Sequence, residues 1–160
     1  MEVFMSWAQW LETSPWGDPV RTSLWLYPFI QLTHFTGLAL WISTSLAVDM
    51  RLIGIGSKRQ TAAQLQQQMF SWNWIGFSIV VLGGFLLFSA AATTFLENAA
   101  FQVKLVYLVP LGLIWHIIVQ VKTPKWGQKD VTPAAAKLAG VLEICLWLGA
   151  AMAAVLIPAY

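Results

Sequence analysis

The chain has 160 residues, 58% of them hydrophobic and 10% charged, with a formal net charge of +2. Together with a mean hydropathy of +0.67, this marks an integral membrane protein and leaves no soluble domain large enough to fold separately. The basic residues flank apolar stretches and so read as topology signals, not as a nucleic-acid footprint.

The N-terminal segment MEVFMSWAQWLETSPWGDPV lacks a basic leader and an uninterrupted apolar core, so it does not read as a cleaved signal peptide. Phe4, Trp7, Trp10 and Leu11 fall close to helical spacing. They predict a short amphipathic helix lying in the membrane interface, where tryptophan is at home. Ser14, Pro15, Gly17 and Pro19 break it. Four later stretches reach the roughly 20 apolar residues that a spanning helix needs: residues 22–48, 72–95, 101–121 and 134–158. The expected fold is all-α, an integral membrane four-helix bundle forming one domain over residues 1–160.

The first span carries no charge and holds His34 near its middle. Pro28 lies in its first turns, where it costs least. Tyr27, Gln31, His34, Trp41 and Thr44 step by three, four or seven, so they share one relatively polar face that should point into the bundle. Asp49 and Arg51 close the span and read as an interfacial cap and a basic anchor. The following loop carries Lys58 and Arg59, then QLQQQ, which suggests a short helix on the membrane surface. In the second span Gly76, Gly83, Gly84, Ala90, Ala91 and Thr94 allow close helix approach. A turn, LENAA, leads to the third span, where Lys104 can snorkel to the interface and Pro110 should kink the helix. Gly112, His116 and Gln120 form an i, i+4, i+8 row. The loop VKTPKWGQKDVTP then carries Lys122, Lys125 and Lys129. In the fourth span Ala136, Gly140, Glu143, Trp147, Ala151 and Ala154 make a small-residue seam that includes a carboxylate. Counting Lys and Arg puts the loops after spans one and three in the cytoplasm and both termini outside, which is the periplasm in a Gram-negative host.

His34 and His116 are the only two histidines, and both fall inside spans that run in the same direction. A b-type haem takes axial histidines from two helices in this way. Trp41, Trp115 and Trp147 beside Gly37, Gly83, Gly84 and Gly112 would form its slot. Its propionates would use Arg21 and Lys104 on the outer side, or Arg51 on the inner side. Depth decides whether the pair can share a cofactor. At ~1.5 Å per residue, counting from the outer ends separates the two by roughly 5 Å, and counting from the inner ends by about 12 Å. The alternative is that each histidine hydrogen-bonds a neighbouring span and packs. Glu143 lies at nearly the depth of His116, so it is placed to orient that histidine or to act as half of a proton relay. The other reading is a neutral carboxyl bonded to a backbone carbonyl or a threonine. The two isolated histidines lack metal-motif spacing, and the scattered methionines offer no copper(I) pathway. The lone cysteine, Cys145, cannot form an intrachain disulfide. No nucleophile–base constellation or phosphate loop appears, so no enzymatic site is expected.

The stretch WLETSPWGDPVRTSLWLYPFIQLTHFTGLALWISTSLAVDMRLIGIG resembles a family of small bacterial inner-membrane proteins whose domain has no assigned function. In that family a "YP…H…G" first span ends in a "DLRLLG"-like signature. The resemblance continues through GGFLLFSAAATTFLENAAFQVKLVYL, His116 and the terminal Ala159–Tyr160. It implies a four-span architecture, and it is distantly similar to copper-resistance-D-like and small b-cytochrome-like membrane proteins. Gln31 stands where that family commonly has an acidic residue, and Glu143 where it commonly has a small polar one. The expected function is therefore membrane electron transfer by a subunit that binds haem b through His34 and His116, with Trp41, Gly112 and Glu143 around it. The alternatives are a non-catalytic accessory subunit of a larger membrane complex, and a small transporter or metal-handling protein with Gln31, His34, His116, Gln120 and Glu143 along its path. The expected partners are the lipid bilayer and other complex subunits or a second copy.

Overall fold

The computed structural model describes residues 2–56, 59–129 and 131–157. Lys58 of the first loop, Pro158 at the end of the fourth span and the terminal Ala159–Tyr160 lie outside the described residues. Seven helices account for the fold, and no strand occurs among the described residues: α1 (Glu2–Glu12), α2 (Gly17–Thr22), α3 (Leu26–Ile53), α4 (Ala62–Ala90), α5 (Ala92–Glu97), α6 (Ala99–Trp126) and α7 (Ala134–Val155). The four long ones, α3, α4, α6 and α7, are each long and apolar enough to cross a membrane. Each of them packs against two others, so they form a ring in the order α3, α4, α6, α7. One end of the bundle carries α1, α2 and α5, and the opposite, basic end carries the loops after α3 and α6.

The sequence dictates where each helix starts and stops. Gly54, with φ of +99°, ends α3 in the left-handed conformation that glycine tolerates, and its N–H donates to the Met50 carbonyl at 3.1 Å. Thr61 and Gln64 form a capping box: the Gln64 N–H donates to Thr61 Oγ1 at 3.3 Å and the Thr61 N–H to Gln64 Oε1 at 3.0 Å. Helix α4 therefore begins before the glutamines, which form its first turns and not a separate surface helix. At Ala91 the backbone leaves the helical region, so residues expected to finish the second span form the separate helix α5. Glu12 ties α1 to this helix by accepting from the Thr93 N–H at 2.8 Å and its hydroxyl at 2.6 Å. The expected amphipathic face of α1 is divided: Leu11 is buried with Ala8 against Phe88 and Leu96, whereas Phe4 and Trp10 point outward.

In α6 the distortion expected at Pro110 lies one turn upstream, as a π-helical turn over Lys104–Leu108. Proline has no N–H to donate and its ring crowds the preceding turn, so a widened turn there relieves both problems. The helix continues through Lys122, Pro124 and Lys125 to Trp126, absorbing half of the expected loop. The seam of α7 begins as expected with Ala136, Gly140, Glu143 and Trp147, then shifts by one residue to Ala150 and Ala153.

Helices α3 and α4 make the closest contact. A Cβ on Gly76 would stand 2.8 Å from the Trp41 backbone nitrogen, and one on Gly83 would stand 2.9 Å from His34 Cβ. Lipid supplies no hydrophobic force between spans, so this backbone approach, with its dense van der Waals contact, is what holds the pair together.

Candidate functional site

Polar side chains from all four long helices meet near the bundle axis. On α3, Trp41, Thr44, Ser45, Val48, Asp49 and Leu52 recur every three or four residues and are all buried. Opposite them stand Asn73 of α4, His116 of α6 and Glu143 of α7. His116 is 3% exposed and Glu143 1%. Burial this deep would be costly for either side chain alone, and the hydrogen bonds explain how it is met.

Asn73 sets the orientation. Its Nδ2 donates to Ser45 Oγ at 2.8 Å, to Thr44 Oγ1 at 3.0 Å and to the Trp41 carbonyl at 3.3 Å. Its Oδ1 is therefore turned toward α6, and a carbonyl oxygen can only accept. Gln120 Nε2 donates to it at 3.0 Å, while Gln120 Oε1 accepts from the Trp74 indole N–H at 3.1 Å. His116 Nε2 lies 3.0 Å from the same Oδ1 and 2.9 Å from Gln120 Nε2, so it donates to the first in one tautomer and accepts from the second in the other. The other ring nitrogen, Nδ1, is hydrogen-bonded to Glu143 Oε1. With Nε2 protonated, either Nδ1–H faces a carboxylate or a neutral carboxyl donates to Nδ1. The pair holds one shared proton in both cases. The second carboxyl oxygen, Glu143 Oε2, is buried without a hydrogen-bond partner.

Aromatic rings wall the pair. Trp41, Trp74 and Trp147 stand with ring centroids 5.9, 6.2 and 6.4 Å from that of His116. They lower the local dielectric, which strengthens the His116–Glu143 bond and raises the cost of leaving either partner alone.

His34 is elsewhere. Trp41, which touches His116, follows His34 by two helical turns, about 10 Å along α3. The larger of the two depth separations read from the sequence is the nearer one. His34 packs against Gly83 and Gly84 of α4, and its Nδ1 donates to the Val80 carbonyl at 2.9 Å. Between the two histidines the bundle is filled. Trp41 and Trp147 pack with centroids 4.4 Å apart, and the Trp147 ring occupies the notch at Gly112, where a Cβ would meet it at 2.9 Å. Both nitrogens of His116 are already engaged. The residues as they stand do not fit a haem held between His34 and His116: Trp41 and Gly112, expected to shape its slot, form a packed aromatic core.

Three further residues belong to the site. A cavity of about 20 Å³, room for about one water molecule, is bounded by Asp49, Gln66, Asn73, His116 and Glu143. Asp49 is only 2% exposed and has no hydrogen-bond or ion-pair partner among the described residues. Gln66 Nε2 donates to the Gln120 carbonyl at 2.8 Å, leaving its Oε1 buried and unpartnered. Asp49 was expected to be an interfacial cap, and Gln66 part of a surface segment. Asn73 stood out in no pattern except as an amide between two tryptophans. The signal for Asp49 was present: it continues the stripe of Trp41, Thr44 and Ser45. No three His, Cys, Asp or Glu side chains among the described residues converge in the manner of a metal-ligand set.

A family model matches residues 6–158, nearly the whole chain. The chain belongs to the family of unknown function DUF6644. Membership agrees with the resemblance drawn from the first span. Four apolar helices fit a multi-pass membrane protein, and Thr44, Ser45, Asn73, His116 and Glu143 from these helices line one cavity. No curated protein and no solved structure matches it.

Proposed function

We propose that this is a proton-handling protein of the bacterial inner membrane, with the His116–Glu143 pair as its intramembrane proton-binding site. The observation that carries the reading is the hydrogen bond between His116 Nδ1 and Glu143 Oε1 in the bundle interior, beside a buried and unpartnered Glu143 Oε2. Ionisable groups within a membrane span are candidate functional sites by default, and proton relays are among their uses. Asp49 supplies a second carboxyl on the same cavity, toward the basic end. The basic end faces the cytoplasm in this reading, because Arg51, Arg59, Lys122, Lys125, Lys129 and Lys137 gather there, against Arg21 and Lys104 at the other end. The protein acts by binding and releasing a proton and needs no reactive nucleophile. Its partners are the lipids around it and the membrane complex or second copy that uses the proton.

Infrared difference spectroscopy across a pH step, on the full chain in lipid nanodiscs, tests this. A carboxylic-acid carbonyl band should titrate and disappear in Glu143→Gln. Absence of a titrating carboxyl band, or a band unchanged in Glu143→Gln, overturns the reading.

A further inference from the structure

The tryptophans near the bundle axis are held in two different ways. The indole N–H of Trp74 donates to Gln120 Oε1 at 3.1 Å and that of Trp115 to the Ala139 carbonyl at 3.0 Å. Those of Trp41 and Trp147 are buried with no hydrogen-bond partner among the described residues. A buried indole N–H usually has one. The Trp41 and Trp147 rings are therefore held by packing alone, and moving either breaks no hydrogen bond.

The two differ in their room to move. Trp41 is fixed by its backbone, which lies so close to Gly76 of α4 that a Cβ there would stand 2.8 Å from the Trp41 nitrogen. Trp147 fills the notch at Gly112 and also borders a second cavity, of about 80 Å³, between α3 and α7. That cavity is bounded by Ile42, Leu46, Ile144 and Leu148, and it reaches Ser45 and Asp49, which line the smaller cavity beside His116 as well. A packed interior seldom leaves a void much larger than a water molecule, so the space beside this ring is unusual.

Position gives a movement of the ring its consequence. Trp41 and Trp147 lie between the two histidines, with Leu38, Val80, Leu108 and Leu113 packed around them. This apolar layer closes the axis on the side of His116 that faces His34. Trp147 touches the His116 ring itself, at 6.4 Å between centroids, so the proton site and the layer meet at this side chain.

We propose that Trp147 is a side-chain gate. Seated in the Gly112 notch, its ring closes the His116–Glu143 site off from the end of the bundle opposite the basic one. Turned into the cavity between α3 and α7, it opens the site toward His34. The two positions are rotamers of one side chain. Water admitted by the open one supplies the acceptors that the indole N–H groups lack in the closed one. The proposal rests on the proton-binding reading and adds to it the element that decides from which side a proton arrives.

Fluorine NMR on the full chain in nanodiscs, with a fluorinated tryptophan placed at position 147 alone, tests this. The resonance should show relaxation dispersion from microsecond–millisecond exchange between two positions. Gly112→Ala puts a methyl group where the ring sits and should move the resonance to the open position. Ala151→Leu fills the cavity that Ala151 borders and should abolish the dispersion with the ring held closed. In liposomes with a trapped pH dye, under a potassium diffusion potential, Gly112→Ala should pass protons about tenfold faster than the parent, and Ala151→Leu more slowly. Absence of dispersion in the parent overturns the gate even where a variant fails to fold. Dispersion that persists in a folded Ala151→Leu variant overturns it too, as does a parental proton flux in a folded Gly112→Ala variant. The infrared band separates the gate from the reading on which it rests. A titrating Glu143 band beside a Trp147 ring that does not exchange removes the gate and leaves the proton site, and a band that never titrates removes the proton site whatever the ring does.

Discussion

At the scale of residues, Asn73 governs the site more than either titratable partner does. Its Oδ1 and the Nε2 of Gln120 both reach His116 Nε2, so these two amides together set whether that nitrogen bears a hydrogen. Asn73→Ala takes the Oδ1 acceptor from His116 and Gln120, and takes a donor from the buried Thr44 and Ser45 hydroxyls, which keep their own bonds to the Leu40 and Trp41 carbonyls. We expect a loss of about 1–3 kcal/mol, measured by denaturant unfolding in detergent. Chemical shifts of the imidazole nitrogens should at the same time show Nε2 freed to lose its hydrogen. A variant as stable as the parent, with unchanged nitrogen shifts, would show that Asn73 does not orient the ring. The His116–Glu143 contact was legible in the sequence because both residues lie a similar distance from the basic ends of their helices. Asp49 lies on the stripe of Trp41, Thr44 and Ser45, but that signal did not decide its place, because an acidic residue at the end of a span reads equally well as a cap in the interface. Only the helix running past it, to Ile53, places it inside.

Among elements, the α3–α4 contact is the most constrained, since Gly37, Gly76 and Gly83 leave no room for larger side chains. Gly76→Val should force the two helices apart and lower stability by about 1–3 kcal/mol, and by more if Asn73 is drawn away from Thr44. Gly149→Ala is the control. Its new Cβ would meet nothing nearer than 3.8 Å, so its melting temperature should stay close to the parent's. Equal melting temperatures for the two variants would remove the close approach as a source of stability. The existence of the four long helices was readable from apolar length alone. Their ends were not, because caps and breaks depend on particular backbone bonds. The capping box of Thr61 and Gln64 adds the glutamines to α4, and the change of conformation at Ala91 ends it early. Both turn on one or two residues that leave the hydropathy pattern unchanged.

For the whole molecule, the proposed orientation follows from basic residues gathered at one end. Single cysteines placed at Gln128 and at Thr13, in a Cys145→Ser background, should differ in their reaction with a membrane-impermeant maleimide on intact spheroplasts. Thr13→Cys should label and Gln128→Cys should label only after the membrane is opened. The reverse pattern would invert the proposed orientation. The bundle as a whole was legible because each span is encoded locally. The failure of the haem slot was not, because it depends on how two tryptophans from different helices, Trp41 and Trp147, fill the axis between the histidines.

The polar cluster does not sit midway along the bundle. His116 lies ten residues from the end of α6 and Glu143 nine from the start of α7, or roughly 15 Å from the basic end by helical rise, and Asp49 is nearer still. Helix α6 also runs on past its apolar part through Lys122 and Lys125, so less of that path lies in hydrocarbon. A charge entering from the basic end therefore crosses the smaller part of the transmembrane voltage, and one entering from the other end the larger part. A full crossing at 100 mV is worth about 2.3 kcal/mol per elementary charge. For the proposed proton site, occupancy would accordingly be tied to membrane potential unequally from its two sides, and a change in voltage alone would load or empty it without any change in pH.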